Sequence, residues 1–191
     1  MLTIRVLAPL ALVAFLSVSA PGQTKSEHYR NSLAPYVVSP QEIVDRMLEL
    51  ADLKAGEKLY DLGSGDGRIV IAAAQKFGAH SVGVEMIPEL CRTAQRKVTE
   101  LGLQDRVTIV QGSALHVDLS PATVVTMYLL TSSNERLKPI LDRNLKPGAR
   151  VVSTDYAITG WKPTRLKMVK AGSAEHKIYV YEIGHTKLGP G

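Results

Sequence analysis

Apolar and polar positions alternate along this chain with two different periods. Short runs rich in β-branched residues, such as 107–110 and 122–130, have the length and composition of buried strands. Between such runs, segments such as 68–77 place apolar residues three and four positions apart, as amphipathic helices do. Strands that alternate with helices predict a parallel sheet covered on both faces.

Local signals predict the remaining elements. Ser39 can cap a helix in which Pro40 takes the first position and Glu42 completes a capping box. The last two apolar runs have no helix between them, so they predict an antiparallel hairpin at the edge of the sheet. In chain order the predicted strands are 58–62, 81–84, 107–110, 122–130, 150–153, 165–169 and 177–183.

The N-terminal residues 1–22 have the composition of a secretory leader. Arg5 precedes an apolar run over 6–16, and small residues follow it. The run is shorter than the about 20 residues of a membrane-spanning helix, and an uncleaved anchor is the alternative interpretation. Residues 23–34 are mostly polar and predict a linker, which leaves the folded domain at 35–185. The leader indicates export or membrane association, whereas a mis-assigned start would leave the domain in the cytoplasm.

Composition and charge exclude several kinds of site. The 191 residues carry a formal charge of +5 that is scattered along the chain, so no nucleic-acid partner is expected. Aromatic residues are 5% of the chain, which is too few for a base-stacking platform. Cys91 is the single cysteine, so an internal disulfide and a CxxC site are excluded and a buried thiol is expected. The five histidines lack metal-ligand spacing, and no metal is predicted.

A glycine-rich turn follows the first predicted strand directly. Residues 61–68 read Asp-Leu-Gly-Ser-Gly-Asp-Gly-Arg. The dinucleotide-binding pattern G-x-G-x-x-G would require glycine where the chain has Arg68, and the phosphate-binding P-loop pattern is missing. The spacing D-x-G-x-G-x-G instead fits the turn that binds S-adenosylmethionine (SAM), and such turns lie where open α/β sheets bind their ligands.

Acidic residues around this turn favour SAM over a phosphate-bearing cofactor. SAM is a sulfonium cation with a protonated amine, which carboxylates attract, whereas Asp61 and Asp66 would repel a pyrophosphate. Glu85 ends the second strand, where an acidic side chain can accept both ribose hydroxyls. Each acid also has an alternative interpretation without a ligand. Asp66 could satisfy local backbone amides, and Glu85 could be a solvated charge at the end of a strand. The predicted cofactor-binding residues are Asp61, Gly63, Ser64, Gly65, Asp66, Gly67, Glu85, Met86, Ser113 and Ala114.

Short segments on both sides of the turn narrow the identification. Residues 35–37 read Pro-Tyr-Val, 128–130 read Tyr-Leu-Leu and 160–161 read Gly-Trp. Together with the turn they resemble the class I methyltransferases, and more closely the archaeal broad-specificity protein-lysine methyltransferase and the mitochondrial enzymes that methylate ATP synthase subunit c and the adenine nucleotide translocase. The resemblance implies a Rossmann-like, doubly wound α/β fold with a mostly parallel seven-stranded sheet and an antiparallel edge hairpin.

The resemblance also implies methyl transfer from SAM to the ε-amine of a lysine in a protein substrate. Tyr128 is expected beside the transferred methyl group, and Tyr36 is expected over the cofactor. Both are therefore the candidate catalytic residues. The alternative is that each tyrosine only packs in the fold. An apolar rim around one tyrosine suits a desolvated lysine better than a nucleobase edge. Asp155 is expected to be solvated and Trp161 to pack in the core. A small-molecule or RNA acceptor and a non-enzymatic exported domain remain the competing hypotheses.

Overall fold

The computed structural model describes residues 33–185, so the predicted leader and most of the predicted linker lie outside the described residues. Seven strands form one sheet in the order β3-β2-β1-β4-β5-β7-β6. Strands β1 to β5 run parallel, and β7 pairs antiparallel with both β5 and β6. The strands are β1 (Lys58–Leu62), β2 (His80–Glu85), β3 (Val107–Gln111), β4 (Val124–Met127), β5 (Arg150–Thr154), β6 (Arg165–Ala171) and β7 (Ala174–Glu182).

This topology confirms the doubly wound α/β fold with its antiparallel edge hairpin. The chain moves outward from β1 to β3 and then returns to place β4 on the other side of β1. Open parallel sheets bind ligands at the carboxyl ends of their strands where the strand order reverses in this way. A ligand-binding site is therefore expected at the reversal between β1 and β4.

Within residues 33–185, four helices cover the sheet. They are α1 (Gln41–Leu50), α2 (Arg68–Phe77), α3 (Pro88–Glu100) and α4 (Thr131–Asn144). Successive residues of a strand point to opposite faces, and two apolar clusters form accordingly. Leu59 joins the cluster that contains α1 and α2, whereas Tyr60 joins the cluster that contains α4. Within residues 33–185 no helix is both long and apolar enough to cross a membrane.

The start of α1 differs from the predicted capping box. Pro40 takes the N-cap position, and no side chain in the described range caps this helix. Ser39 is instead buried, and its carbonyl oxygen accepts a hydrogen bond from Nη1 of Arg68 at 2.6 Å. The capping prediction is therefore wrong, because the backbone of Pro40 is still extended, with ψ of 145°, and the helix begins one residue later than the capping box requires.

The fourth strand is shorter than the apolar run that predicted it. β4 covers Val124–Met127, and Leu129 and Leu130 lie beyond the sheet. Leu129 is buried in the core and lines a cleft, whereas Leu130 takes the N-cap position of α4 and is exposed. An apolar run predicts buried side chains rather than strand pairing, and here Leu129 is still buried after β4 has ended.

Gly67 joins the glycine turn to helix α2 and lets it approach α3. Its backbone is left-handed, with φ of 80°, and a Cβ there would lie 3.0 Å from Cβ of Ala94 in α3. Gly102, after α3, has a similar φ of 65°, but a Cβ there would meet no heavy atom of residues 33–185 within 4 Å. The two glycines share a conformation and differ in packing.

We therefore expect Gly67→Ala to destabilise the fold more than Gly102→Ala. Both substitutions put an L side chain in the left-handed region, which costs about 1–2 kcal/mol, and only the first adds overpacking against Ala94. Urea unfolding should show about 1–3 kcal/mol more loss of unfolding free energy for Gly67→Ala. Equal losses would show that the close approach of α2 and α3 tolerates a methyl group.

Candidate active site at the carboxyl ends of the strands

A cleft lies at the reversal point of the sheet, with an empty volume of about 770 Å³ when the adjoining open solvent is counted. The segment before α1, the glycine turn, the end of β2 and the residues after β4 form its wall. The structure brings most of the predicted site residues together there, namely Tyr36, Asp61, Gly63, Ser64, Gly65, Asp66, Glu85, Met86, Ala114 and Tyr128.

Two predicted residues are not part of the cleft wall. Gly67 packs against Ala94 of α3, as described above. Ser113 lies in the loop after β3, where its hydroxyl oxygen accepts a hydrogen bond from the backbone of Leu115 at 3.3 Å. Gly112, which directly precedes Ser113 and was not predicted, lines the cleft instead.

Glu85 holds the glycine turn against the end of β2. Its Oε2 accepts the backbone N–H of Gly65 at 2.8 Å, and its Oε1 accepts that of Ile87 at 2.8 Å. The backbone of Gly63 and Ser64 also donates to the carbonyl of Val84, at 2.9 and 3.1 Å. A carboxylate offers about four acceptor sites, so both oxygens of Glu85 keep capacity for a ligand hydroxyl.

The ring of Tyr36 lies directly on the glycine turn. A Cβ at position 65 would stand 2.6 Å from Cε2 of Tyr36, so only glycine fits beneath the ring. Both ends of the segment that carries Tyr36 are attached to the domain. The hydroxyl of Ser133 donates to the carbonyl of Leu33, and Arg68 donates to that of Ser39. The segment therefore forms a fixed wall of the cleft.

Asp66 is neutralised by the chain itself. Arg68 donates to its two oxygens at 2.9 and 2.8 Å, and Nζ of Lys97 lies 2.6 Å from Oδ2. Burial alone would raise the pKa of Asp66, but these hydrogen bonds outweigh it and lower the pKa to about 2. The carboxylate of Asp66 thus forms an ion pair that joins α2 to α3, rather than the bonds to local backbone amides that were the alternative interpretation. The sequence contains no short-range signal for Lys97.

Asp61 is the fully buried acid of the site. Burial raises its pKa to about 7, against the hydrogen bond of 2.8 Å that Oγ1 of Thr126 donates to Oδ1. The nearby negative charges of Glu85 and Asp66 raise the pKa further. A cation beside Asp61 would relieve both effects, because it would replace water as the partner of the ionised carboxylate. This environment suits a positively charged ligand group.

Asp155 belongs to a hydrogen-bonded group at the cleft, and the expectation of a solvated residue was wrong. The hydroxyl of Tyr128 donates to its Oδ2 at 2.6 Å, and Nδ1 of His176 lies 2.8 Å from the same oxygen. The backbone N–H of Lys177 donates to Oδ1 at 2.9 Å. Burial and the bond to Asp155 raise the pKa of Tyr128, so its hydroxyl keeps its proton.

Two residues behave as expected of core side chains. Trp161 is buried, and its ring meets Tyr181 edge-on with centroids 5.6 Å apart. Cys91 is buried with its thiol 3.3 Å from the carbonyl oxygen of Glu85, and burial raises its pKa to about 11. An un-ionised thiol is a poor nucleophile, so Cys91 acts in packing.

Within residues 33–185 no group of His, Cys, Asp and Glu is arranged to hold a metal ion.

The family comparison agrees with this geometry. Residues 61–165, which contain the glycine turn, Glu85 and Tyr128, match the model of the ANTKMT methyltransferase domain. The chain belongs to this family. This match confirms the prediction, made from the glycine turn and its acids, that the protein is a class I, SAM-dependent methyltransferase.

Individual relatives support the same assignment. A protein-lysine N-methyltransferase of Saccharolobus islandicus is 47% identical over 154 residues, which are 80% of this chain and 96% of that protein. The adenine nucleotide translocase lysine N-methyltransferase of Mus musculus is 31% identical and matches 78% of this chain and 63% of its own length. A crystal structure of an RNA methyltransferase from Salinibacter ruber with S-adenosyl-L-homocysteine is 47% identical, with a TM-score of 0.72, over 77% of this chain and 94% of that one.

The raised pKa of Asp61 predicts how stability changes with pH. Its folded-state pKa of about 7 lies above the ordinary 3.8, so the residue favours folding only while it is protonated. Its contribution is full below about pH 4 and is lost as the pH rises through 7. Relative to Asp61→Asn, the ligand-free wild type should therefore lose about 2–4 kcal/mol of unfolding free energy between pH 4 and pH 8.

Urea unfolding of both proteins across this pH range measures the difference. The Asn variant keeps an acceptor for Thr126 and removes only the titration, so the other groups cancel. Parallel stability curves would contradict the assignment of a raised pKa to Asp61.

Proposed function

We propose that this methyltransferase domain transfers the methyl group of SAM to the ε-amine of a lysine in a protein substrate. The observation that carries the proposal is the apolar wall of the cleft. Leu33, Val37 and Leu129 line it together with Tyr36 and Tyr128. The 47% identity with a protein named as a protein-lysine N-methyltransferase, over nearly its whole length, supports the same acceptor.

An apolar wall addresses the main chemical difficulty of lysine methylation. Free lysine has a pKa of about 10.4, so only roughly one side chain in a few thousand is neutral near pH 7. Only the neutral amine has a lone pair to attack the methyl carbon. Transfer from water into an apolar channel disfavours the ammonium form and lowers the lysine pKa. Correct positioning of the neutral amine can then supply much of the rate without a strong general base.

The residues of the cleft fit the parts of SAM. When bound, SAM supplies an electrophilic methyl carbon on a positively charged sulfur. Glu85 has free acceptor sites for the ribose hydroxyls, and the buried carboxylate of Asp61 suits the ammonium group of the amino-acid part. The missing side chains of Gly63 and Gly65 leave room for Leu129 and Tyr36 to pack on the turn as walls of this pocket. We assign Tyr36 to the cover of this pocket and Tyr128 to its acceptor side.

Transfer to protein is tested with isotopically labelled SAM. The purified chain is incubated with a lysine-rich acceptor protein, and a matched sample contains the same acceptor with its lysines acetylated. We expect label in the first acceptor and none in the second, with mass spectrometry placing the added methyl groups on lysine. Tight SAM binding without label in any protein would overturn the proposal.

RNA is the second acceptor that particular observations favour. The Salinibacter ruber structure, at 47% identity, is that of an RNA methyltransferase. The edge strand β6 also carries exposed Arg165, Lys167 and Lys170, which could meet a phosphate backbone. Incubation with cell extract, followed by separation into protein, RNA and small molecules, distinguishes the acceptors. Label confined to RNA would replace the lysine proposal by this one.

We infer further that residues 1–22 form a leader or an anchor through which the domain reaches a membrane or leaves the cytoplasm. The basic residue, the apolar run and the small residues that follow support this inference. Mass spectrometry of the N-terminus in native cells tests it. A mature chain that begins near residue 23 is expected of a cleaved leader, and an intact terminus in the soluble fraction would contradict both forms.

Glu85 is expected to be essential for SAM affinity. Glutamine has one acceptor oxygen, so Glu85→Gln cannot receive both backbone N–H groups and also a ribose hydroxyl. Calorimetry should show SAM binding weakened by about 1–3 kcal/mol, and Glu85→Ala should weaken it at least as much. Glu89→Gln is the matched control, because Glu89 lies exposed on α3. Unchanged affinity in the folded Glu85 variants would show that this carboxylate does not hold the ribose.

A further inference from the structure

The hydroxyl of Tyr128 has a defined hydrogen-bond polarity. A tyrosine hydroxyl has one proton, and Tyr128 gives it to Oδ2 of Asp155 across 2.6 Å. Asp155 stays ionised, because the hydrogen bonds from Tyr128 and His176 lower its pKa more than partial burial raises it. An ionised carboxylate only accepts, so Nδ1 of His176 must carry the proton that it directs at the same oxygen. Tyr128 therefore has only lone pairs left for the cleft.

Asp155 is held in place by an uncommon backbone conformation. Its φ is +62°, in the left-handed region that non-glycine residues seldom occupy. Backbone bonds with Lys177 fix it on both sides: N–H of Asp155 donates to the carbonyl of Lys177 at 2.7 Å, and N–H of Lys177 donates to Oδ1 at 2.9 Å. Strain of this kind persists where surrounding contacts over-determine it, often at functional sites. Here it places a carboxylate behind the cleft-facing Tyr128.

We propose that Asp155, oriented by His176, makes the hydroxyl oxygen of Tyr128 a pure hydrogen-bond acceptor that orients the attacking amine, an inference that rests on the lysine acceptor proposed above. Asp155 and His176 are then positioning residues that act through Tyr128. The cleft contains Tyr128, whereas neither of the other two residues is part of its wall. No substrate contact is required of them.

The polarity matters because a neutral amine has two N–H groups and one lone pair. An acceptor oxygen binds one N–H and leaves the lone pair free for the methyl carbon, whereas a hydroxyl that could rotate would donate to that lone pair and block it. As the nitrogen–carbon bond forms and the carbon–sulfur bond breaks, the electron pair stays on sulfur and the nitrogen becomes positive. The N–H bond to Tyr128 then strengthens, and the product ammonium finally loses a proton to water. The acceptor oxygen thus stabilises the transition state more than the ground state.

Asp155→Asn tests the assignment with little change of shape. All three partners of Asp155 are donors, so an amide nitrogen at this position must face at least one of them. The control is Asp52→Asn, because Asp52 also has a left-handed backbone, with φ of 53°, and lies exposed. We expect Asp155→Asn to lower kcat about tenfold or more, with the KM for SAM and the calorimetric SAM affinity changed less than about twofold. Asp52→Asn should match wild type.

A double-mutant cycle shows whether Asp155 acts through Tyr128. Once Tyr128→Phe has removed the hydroxyl, Asp155→Asn should lower kcat no further. Proton NMR gives a readout that needs neither SAM nor acceptor: a slowly exchanging hydroxyl signal far downfield in wild type, missing in both single variants. These three results together support the proposal.

Three other outcomes would overturn it. They are an unchanged kcat in Asp155→Asn, additive losses of kcat in the double variant, and equal losses of kcat and SAM affinity, which indicate a merely structural role. Wild type that transfers no methyl group to lysine overturns the proposed function and this inference together, whereas an active wild type with an unaffected Asp155→Asn variant overturns this inference alone.

Discussion

The carboxylate of Glu85 is the contact on which the geometry of the site depends. Its two oxygens accept N–H groups from Gly65 and Ile87, so one side chain fixes the glycine turn to the end of β2 and to the start of α3. Charge-assisted bonds of this kind are stronger than neutral ones and lose most when one partner is removed. The shape of the cofactor cleft follows from this clamp, because the turn, the strand end and Ile87 all line it.

Three acids meet in this small volume, and each is stabilised differently. Glu85 uses backbone N–H groups, Asp66 uses the cations Arg68 and Lys97, and Asp61 has the single hydroxyl of Thr126. The first two are compensated by the chain itself, whereas the third pays for its burial with a pKa raised to about 7. An incompletely compensated buried acid suits a cationic ligand, and we therefore assign Asp61 to the positive charge of SAM.

The acceptor side of the cleft is built on a different principle. In the proposed function, apolar residues there remove water from the incoming amine, and Tyr128 presents the polar atom that we assign to its orientation. Tyr36 closes the cofactor side by packing on Gly65, where a side chain would collide with it. The two ends of the cleft thus suit the two reactants that we propose: a cation at the acidic end and a neutral amine at the apolar end.

Local features of the sequence determined the fold and the cofactor end of the site. The glycine spacing, the acids at the ends of β1 and β2 and the alternation of strands with helices are short-range signals, because neighbouring residues determine turns and strand ends. Tertiary structure alone decided the pairing of Lys97 with Asp66, the contact of Arg68 with Ser39 and the group of Tyr128, Asp155 and His176. Tyr128 follows β4, Asp155 follows β5, and His176 lies in β7. The three residues meet only because the sheet places those strands side by side. No local pattern contains that order, since it results from how the whole chain packs its two apolar faces.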